Sequence, residues 1–401
     1  MEGWYYRLTL TDEGVSFAFI LSIEDPGISS SNLNLACIQV VGPDDGYLVQ
    51  ADADDTKFWA ARHQQALGCT FEYKDTSNNT NGNHSTELSI AEWKNAVKSG
   101  FQILPDHLLG RVEGHDGRGG GVLPGQGTPG YCEFDISIEP ICGWGGTGSS
   151  RQKSTAGWLA SFDIFEPHWQ VTLADARASG RVVWQNQTFE FQDQPFYAEK
   201  NWGKSLPMKW FWTQCNSFDG YDQLSVTAGG GIRQIPLGQK EALGMVSVHY
   251  NGAFYEAVPW TGDMRWNVST WGYWLLSGRC TSGEKTFEVE IIYECDPEKI
   301  PGLVFRAPTP DEGMVYFCKD TFEAKTTLTL WELEKDEVTG KFMRNAGPPL
   351  IDRATSSQGG AEIGGGPWWD SWVGESKVKK PIQKLLQIRY NFRKIRNRIR
   401  S

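Results

Sequence analysis

Apolar and polar residues alternate with a period of two along much of this chain, and that alternation constrains its fold more than any other feature. Val15, Phe17, Phe19, Leu21 and Ile23 fall on one face of an extended segment. Phe134, Ile136 and Ile138 repeat the pattern, as do Leu224, Val226 and Ala228, then Phe287, Val289, Ile291 and Tyr293, then Leu328 and Leu330. Successive side chains of a strand point to opposite sides, so each stretch predicts a half-buried antiparallel strand. Helical periodicity is weak; Asp52 to Leu67 predicts one short helix. The 18 Trp, 20 Phe and 13 Tyr, with 45 Gly, suit strands and tight turns. The expectation is an all-β body of one or two barrels that hold an apolar ligand.

Three stretches read as loops. Lys74 to Thr86 is polar and Asn-rich, Gly114 to Gly130 holds eight glycines in seventeen positions, and Asn345 to Gly360 precedes a Gly-rich segment. From residue 376 to 401 there are ten Lys/Arg and no Asp/Glu, although the whole chain of 401 residues carries a net charge of −11. The acidic balance excludes a general nucleic-acid binder. In the basic tail Ile382, Leu385, Leu386, Phe392, Ile395 and Ile399 recur at helical steps. That predicts a basic amphipathic helix, either an interfacial anchor on anionic lipid or a solvated terminal helix docked on the acidic body. No run approaches the roughly 20 apolar residues of a membrane span, so membrane contact is expected to be peripheral. None of the eight cysteines has CxxC spacing, which predicts buried thiols and no zinc site.

One short segment carries candidate chemistry. In Tyr197-Ala198-Glu199-Lys200-Asn201-Trp202-Gly203 a strand puts Tyr197, Glu199 and Asn201 on one face, with Lys200 and Trp202 on the other. On the inner face of a barrel such a carboxyl is expected to lose water and to keep a proton near neutrality. Trp210, Trp212 and Gln214 alternate onto one face shortly after. Indoles beside a proton donor shelter a carbocation by about 0.5–2 kcal/mol each. The plain alternative is a surface Glu199–Lys200 pair with tryptophans filling a core. Glu2, Glu24, Asp25 and Glu256 are competing acids in aromatic surroundings, although Glu24-Asp25-Pro26-Gly27 reads more simply as a turn. Arg233 reads as the partner of an acid, and His168 beside Trp169 as a base, a donor or a structural residue.

The order of motifs resembles the tocopherol cyclase family. Glu2-Gly3-Trp4-Tyr5-Tyr6, Lys57-Phe58-Trp59-Ala60, Gln152-Lys153-Ser154-Thr155-Ala156-Gly157-Trp158 and Phe165-Glu166-Pro167-His168-Trp169 belong to the series. Glu199-Lys200-Asn201-Trp202-Gly203, Lys209-Trp210-Phe211-Trp212, Val258-Pro259-Trp260, Trp271-Gly272-Tyr273-Trp274, Arg306-Ala307-Pro308-Thr309 and Glu362-Ile363-Gly364-Gly365-Gly366-Pro367-Trp368 continue it. The family ordinarily has residues ahead of Glu2-Gly3-Trp4, and its loops differ from 74–86 and 114–130 here.

The resemblance implies two lipocalin-like antiparallel β-barrel halves, 1–190 and 191–375, followed by the basic tail 376–401. It implies a cofactor-free, metal-free isomerase that closes prenylated quinols to the chromanol of vitamin E. For that reaction Glu199 is the expected proton donor, and Asn201 and Tyr197 complete the expected catalytic residues. Trp202 and Trp212, as shelters for the cation, with Gln214, His168, Trp169, Glu256, Trp260 and Tyr273 are the expected substrate-binding residues. A plastid setting at a plastoglobule or thylakoid surface is implied too, with the tail as the lipid contact. Rival readings are an isoprenoid or carotenoid hydratase, which adds water at the same alkene, and a lipocalin-like lipid binder without catalysis.

Overall fold

The computed structural model describes residues 1–24, 35–74, 86–116, 127–148, 152–155, 157, 167–235, 239–261, 263–309, 312–365 and 370–376. The basic tail from 377 onward, most of the Asn-rich stretch and much of the Gly-rich stretch therefore lie outside the described residues. The chain divides into two compact units. The first comprises Met1–Leu206 and Leu303–Phe317, the second Pro207–Gly302 and Cys318–Ser401. The boundary expected at 190/191 falls inside a strand, and the first unit also takes in a later segment.

The strands of the first unit are β1 (Glu2–Leu10), β2 (Val15–Ile23), β3 (Ala36–Gly42), β4 (Gly46–Asp52), β5 (Phe58–Ala60), β6 (Leu67–Tyr73), β7 (Val97–Leu104), β8 (His107–Asp116), β9 (Pro129–Cys142), β10 (His168–Trp184) and β11 (Gln187–Trp202). They form one antiparallel sheet in the order β4-β3-β2-β1-β11-β10-β9-β8-β7-β6-β5. A further pairing of β4 with β8, at Leu48–Asp116 and Val49–His115, closes a circuit of eight strands. Phe17, Phe19, Leu21 and Ile23 point into its core with Phe134, Ile136 and Ile138, as the alternation predicts. Phe19 of β2 meets Phe134 of β9 with ring centroids 4.3 Å apart, a contact made across the interior of the circuit. Turn chemistry closes the hairpins. Between β3 and β4, Asp44 and Asp45 both have positive φ (57° and 53°), the primed turn that matches strand twist.

The second unit continues with β12 (Lys209–Cys215), β13 (Leu224–Ile235), β14 (Gln239–Tyr250), β15 (Ala253–Ala257), β16 (Met264–Val268), β17 (Tyr273–Ser282) and β18 (Lys285–Glu294). After β19 (Leu303–Thr309) come β20 (Gly313–Lys335), β21 (Phe342–Arg344), β22 (Ile351–Gly365) and β23 (Trp372–Glu375). The order β15-β14-β13-β12-β22-β20-β18-β17 is closed by a β15–β17 pairing, again a circuit of eight antiparallel strands. Val226, Ala228, Phe287, Val289, Ile291, Leu328 and Leu330 fill its core. Asn251-Gly252, both with positive φ, joins β14 to β15. β19 and the start of β20 belong to the first unit, where Met314 packs with Cys37, Val49 and Ala51.

Two sequence expectations are corrected. Asp52 to Leu67 is not a helix. Asp54 caps a single 3₁₀ turn, Asp55–Lys57, and the chain then enters β5, where Phe58 pairs with Cys69 and its ring lies 5.9 Å from that of Trp4. Nor is Asn345 to Gly360 a loop, because β22 starts at Ile351. Its small residues serve close packing: a Cβ on Gly359 would lie 2.0 Å from Thr326 Oγ1. The one α-helix of the described residues, α1 (Ile90–Ala96), opens on a capping box between Ser89 and Glu92.

Candidate functional site

Glu199 lies on β11 between β1 and β10, directly across from Tyr5 on one side and Val171 on the other. Phe196 and Ala198 point into the barrel core, so Tyr197, Glu199 and Asn201 point to the opposite face of the sheet. The inner-face expectation for the acid is thereby corrected: the alternation fixes which residues share a face, and the apolar residues of β11 claim the interior. The outer face is buried nonetheless. Glu199 is 6% exposed and Tyr197 is fully buried, as are Arg7 and Thr9 of β1.

Among the described residues, Trp169, Tyr197 and Asn201 donate to the Glu199 carboxyl. Trp169 Nε1 reaches Oε2 at 2.7 Å and the Tyr197 hydroxyl reaches the same oxygen at 2.6 Å. Asn201 Nδ2 reaches Oε1 at 3.1 Å. Burial favours the neutral carboxyl, whereas donors favour the ionised one. The Tyr5 ring meets Tyr197 edge-on at 6.4 Å, and Trp144, 1% exposed, meets Trp169 edge-on at 6.0 Å. Trp144 is tied to the same strands, because its backbone N–H donates to Val171 O at 3.3 Å and its carbonyl accepts from Lys153 at 2.6 Å. Thr155 completes the support, with its hydroxyl accepting from Val171 N–H at 3.1 Å. Part of the Gln152-Lys153-Ser154-Thr155 motif therefore braces the strand beside the acid.

On the other face Lys200 forms an ion pair with Glu2 at 2.7 Å and lies over the rings of Trp4 and Trp202 at 4.8 and 5.4 Å. His168 stacks on Trp202 at 4.9 Å. The separation of Lys200 and Trp202 from Glu199 follows the strand alternation. Trp202 is thus already engaged by an imidazole and an ammonium.

The remaining sequence-derived residues belong to the second unit. Trp212 and Gln214 are buried on β12, on the face opposite Phe211 and the core. Gln214 donates to Asn216 Oδ1 at 3.0 Å. Trp210 donates its indole N–H to Glu362, whose cross-strand neighbours are Trp212 and the buried Asp320. Glu256 is half-buried on β15 opposite Ser247, Trp260 sits in the turn after β15, and Tyr273 begins β17 opposite Glu294. Arg233 pairs with Glu241 at 2.8 Å, the acid partner expected for it. Sequence reasoning missed Tyr5, Trp144, Asp320 and Glu362 as neighbours of these groups. Tyr5 and Glu362 stand in quoted motifs, but only strand register brings them to the carboxyl and the indoles. Among the described residues no group of three or more His, Cys, Asp or Glu side chains is arranged to hold a metal ion.

Two antiparallel eight-strand circuits, one of them carrying a buried carboxyl held by an indole, a phenol and an amide, define an all-β protein of paired barrels. The chain belongs to the tocopherol cyclase-like family, whose model matches residues 1–365. It is 38% identical over 398 residues to a probable chloroplastic tocopherol cyclase of Oryza sativa subsp. japonica, covering 96% of this chain and 79% of the relative. A chloroplastic tocopherol cyclase of Zea mays is 37% identical over the same shares. Among solved structures, kievitone hydratase from Nectria haematococca aligns over 92% of this chain and 89% of its own, with 9% identity and a TM-score of 0.43.

Proposed function

We propose that this protein is a tocopherol cyclase that closes phytyl-substituted benzoquinols to the chromanol ring in plastids, with Glu199 as the acid. Family membership and the plant relatives support the activity. The observation that carries the assignment of the acid is the burial of Glu199 among three directed partners.

The chemistry is an isomerisation. The carboxyl O–H of Glu199 breaks and a C–H bond forms at the less substituted alkene carbon, which leaves positive charge on the tertiary carbon. The neighbouring phenol oxygen attacks that carbon, a C–O bond forms, and the phenolic proton returns to the carboxylate. No electrons are gained or lost. Holding the nucleophile against the reactive carbon contributes on the order of 7–11 kcal/mol. Tyr197 and Asn201 orient the acid. Excluding water from the cation keeps cyclisation ahead of hydration.

Replacing Glu199 with Gln preserves shape and removes the transferable proton. The variant is expected to lose about a hundredfold or more of kcat on phytyl-benzoquinol while keeping its unfolding transition. Turnover at the wild-type rate would remove Glu199 from the mechanism. Mass analysis of the wild-type product should give an isomer of the substrate; a product heavier by one water would identify a hydratase instead.

In this reading the protein works at the surface of plastoglobules or thylakoids, with the basic segment 376–401 as the lipid contact. Deleting that segment should reduce flotation with anionic vesicles. Equal flotation of the full and shortened chains would remove the tail as an anchor.

A further inference from the structure

One row across the first sheet carries an imidazole and two hydroxyls. His107 opens β8 after the turn from β7, and its register partner on β9 is Ser137. Ser137 pairs in turn with Ser179 on β10. Directly opposed residues of an antiparallel pair share a face, with Cβ atoms about 4.5–5.5 Å apart. Ile136 and Ile138 point into the core, so this row lies on the outer face, where Ser137 is exposed. Lys94 of α1 forms an ion pair with Asp135 Oδ2 at 2.5 Å, and His107 Nε2 lies 2.8 Å from Asp135 Oδ1. Burial opposes the charge on Asp135, but the hydrogen bonds from Lys94 and His107 outweigh it and hold the carboxyl below its ordinary range. An ionised carboxyl only accepts, so in the neutral imidazole the proton sits on Nε2 and Nδ1 keeps its lone pair. Nδ1 is the nitrogen that faces the Ser137 hydroxyl, at 3.4 Å. That separation falls in the looser range a nucleophile and its base show before a substrate is engaged. Ser179 Oγ accepts the Asp193 N–H at 3.0 Å, which leaves its own proton to donate elsewhere.

We propose that Ser137 is a nucleophile for activated acyl groups, with His107 as its base, Asp135 as the carboxylate that fixes the imidazole and Ser179 as a donor to the carbonyl oxygen. Carboxylate, imidazole and hydroxyl stand in the order by which a base takes a hydroxyl proton. The activity is separate from cyclisation and independent of Glu199. Ser137 stands exposed on a sheet face, so the substrates that suit it are small esters with a good leaving group, aryl acetates being the simplest. Ser137 Oγ forms a bond to the carbonyl carbon while its proton passes to His107 Nδ1. The bond from that carbon to the leaving phenol oxygen then breaks, and the phenol takes the proton from Nδ1. Water releases the acyl group by the same route, its proton passing through Nδ1 to Ser137 Oγ. The ester is cleaved to an acid and a phenol with no oxidation or reduction.

The test is incubation of the full chain with p-nitrophenyl acetate. Release of p-nitrophenol should accompany the gain of an acetyl group by the intact protein, and fragmentation should place that group on Ser137. A fluorophosphonate probe should label the same serine. His107→Gln removes the base and should slow acylation of Ser137 about a hundredfold. Asp135→Asn should slow it as well, because an amide N–H facing Nε2 moves the imidazole proton to Nδ1. Ser137→Ala should lose the burst of p-nitrophenol and still cyclise phytyl-benzoquinol at the wild-type rate. Acetyl groups confined to lysines in the wild type would overturn the proposal, and that map decides alone if a variant misfolds. Acylation of Ser137 as fast in folded His107→Gln as in the wild type would overturn it too. Loss of cyclisation in folded Ser137→Ala would overturn the separation of the two activities.

Discussion

Burial pushes the Cys295 thiol up to about 11 and the Cys142 thiol up to about 12. Cys37, Cys69, Cys132, Cys280 and Cys318 are pushed further by the same desolvation, and no disulfide joins any of the eight. The folded chain thus keeps thiol protons that the unfolded chain releases above about pH 8.5. Where the unfolded state binds fewer protons, stability falls as pH rises. The stability is complete below that value and drains away through pH 11–12, so thermal midpoints should decline steadily from pH 8.5 upward; a flat profile over that window would contradict the buried thiols. At the acid, Tyr197 and Asn201 were legible because they stand two residues either side of Glu199 on one strand. Trp169 was legible as a neighbour of the substrate but not as a donor to Glu199. Thirty residues separate the two, and only the β10–β11 register joins them.

Strand β22 shows where pattern reading stops. The Val, Phe and Leu alternation of β2, β9, β18 and β20 is plain, because bulky residues mark the buried face. β22 instead reads Ala-Thr-Ser-Ser-Gln-Gly-Gly-Ala at its centre and packs by lacking side chains. A Cβ on Gly364 would lie 2.1 Å from Trp210 Cζ2, and one on Gly359 would meet both Thr326 and the Ala324 carbonyl. Gly359→Ala is expected to cost about 1–3 kcal/mol, as overpacking does, read as a lowered denaturant midpoint. Gly364→Ala should displace the Trp210 indole from Glu362, visible as a shift in tryptophan fluorescence. The 52–67 segment escapes pattern reading for a related reason: Asp54 opens a single turn that stops at Lys57, and from Phe58 pairing with β6 overrides any local helical tendency.

Each unit repeats one plan. β1 pairs with β2 and β11, and β12 pairs with β13 and β22, so β11 and β22 occupy equivalent places in the two circuits. Each carries a glutamate bonded to an indole N–H from an adjacent strand, Glu199 to Trp169 and Glu362 to Trp210. This repetition is invisible in the sequence because the two circuits share strand order rather than residues. The first unit also draws on a distant segment. Gln39 donates to the Arg306 carbonyl at 3.1 Å, Arg306 N–H donates to the Tyr47 hydroxyl at 3.3 Å, and the Arg306 guanidinium donates to the Tyr316 hydroxyl at 2.9 Å. A polypeptide of residues 1–206 should unfold without a cooperative transition, and appending 303–317 through a flexible linker should restore one; equal melting of the two would show the segment to be dispensable. On the ribosome this has a temporal cost. The first unit cannot be finished until Phe317 has cleared the exit tunnel, by which time almost a hundred residues of the second have already emerged. An unfinished amino-terminal half must wait for its missing piece, and chaperones have a defined interval in which to guard it.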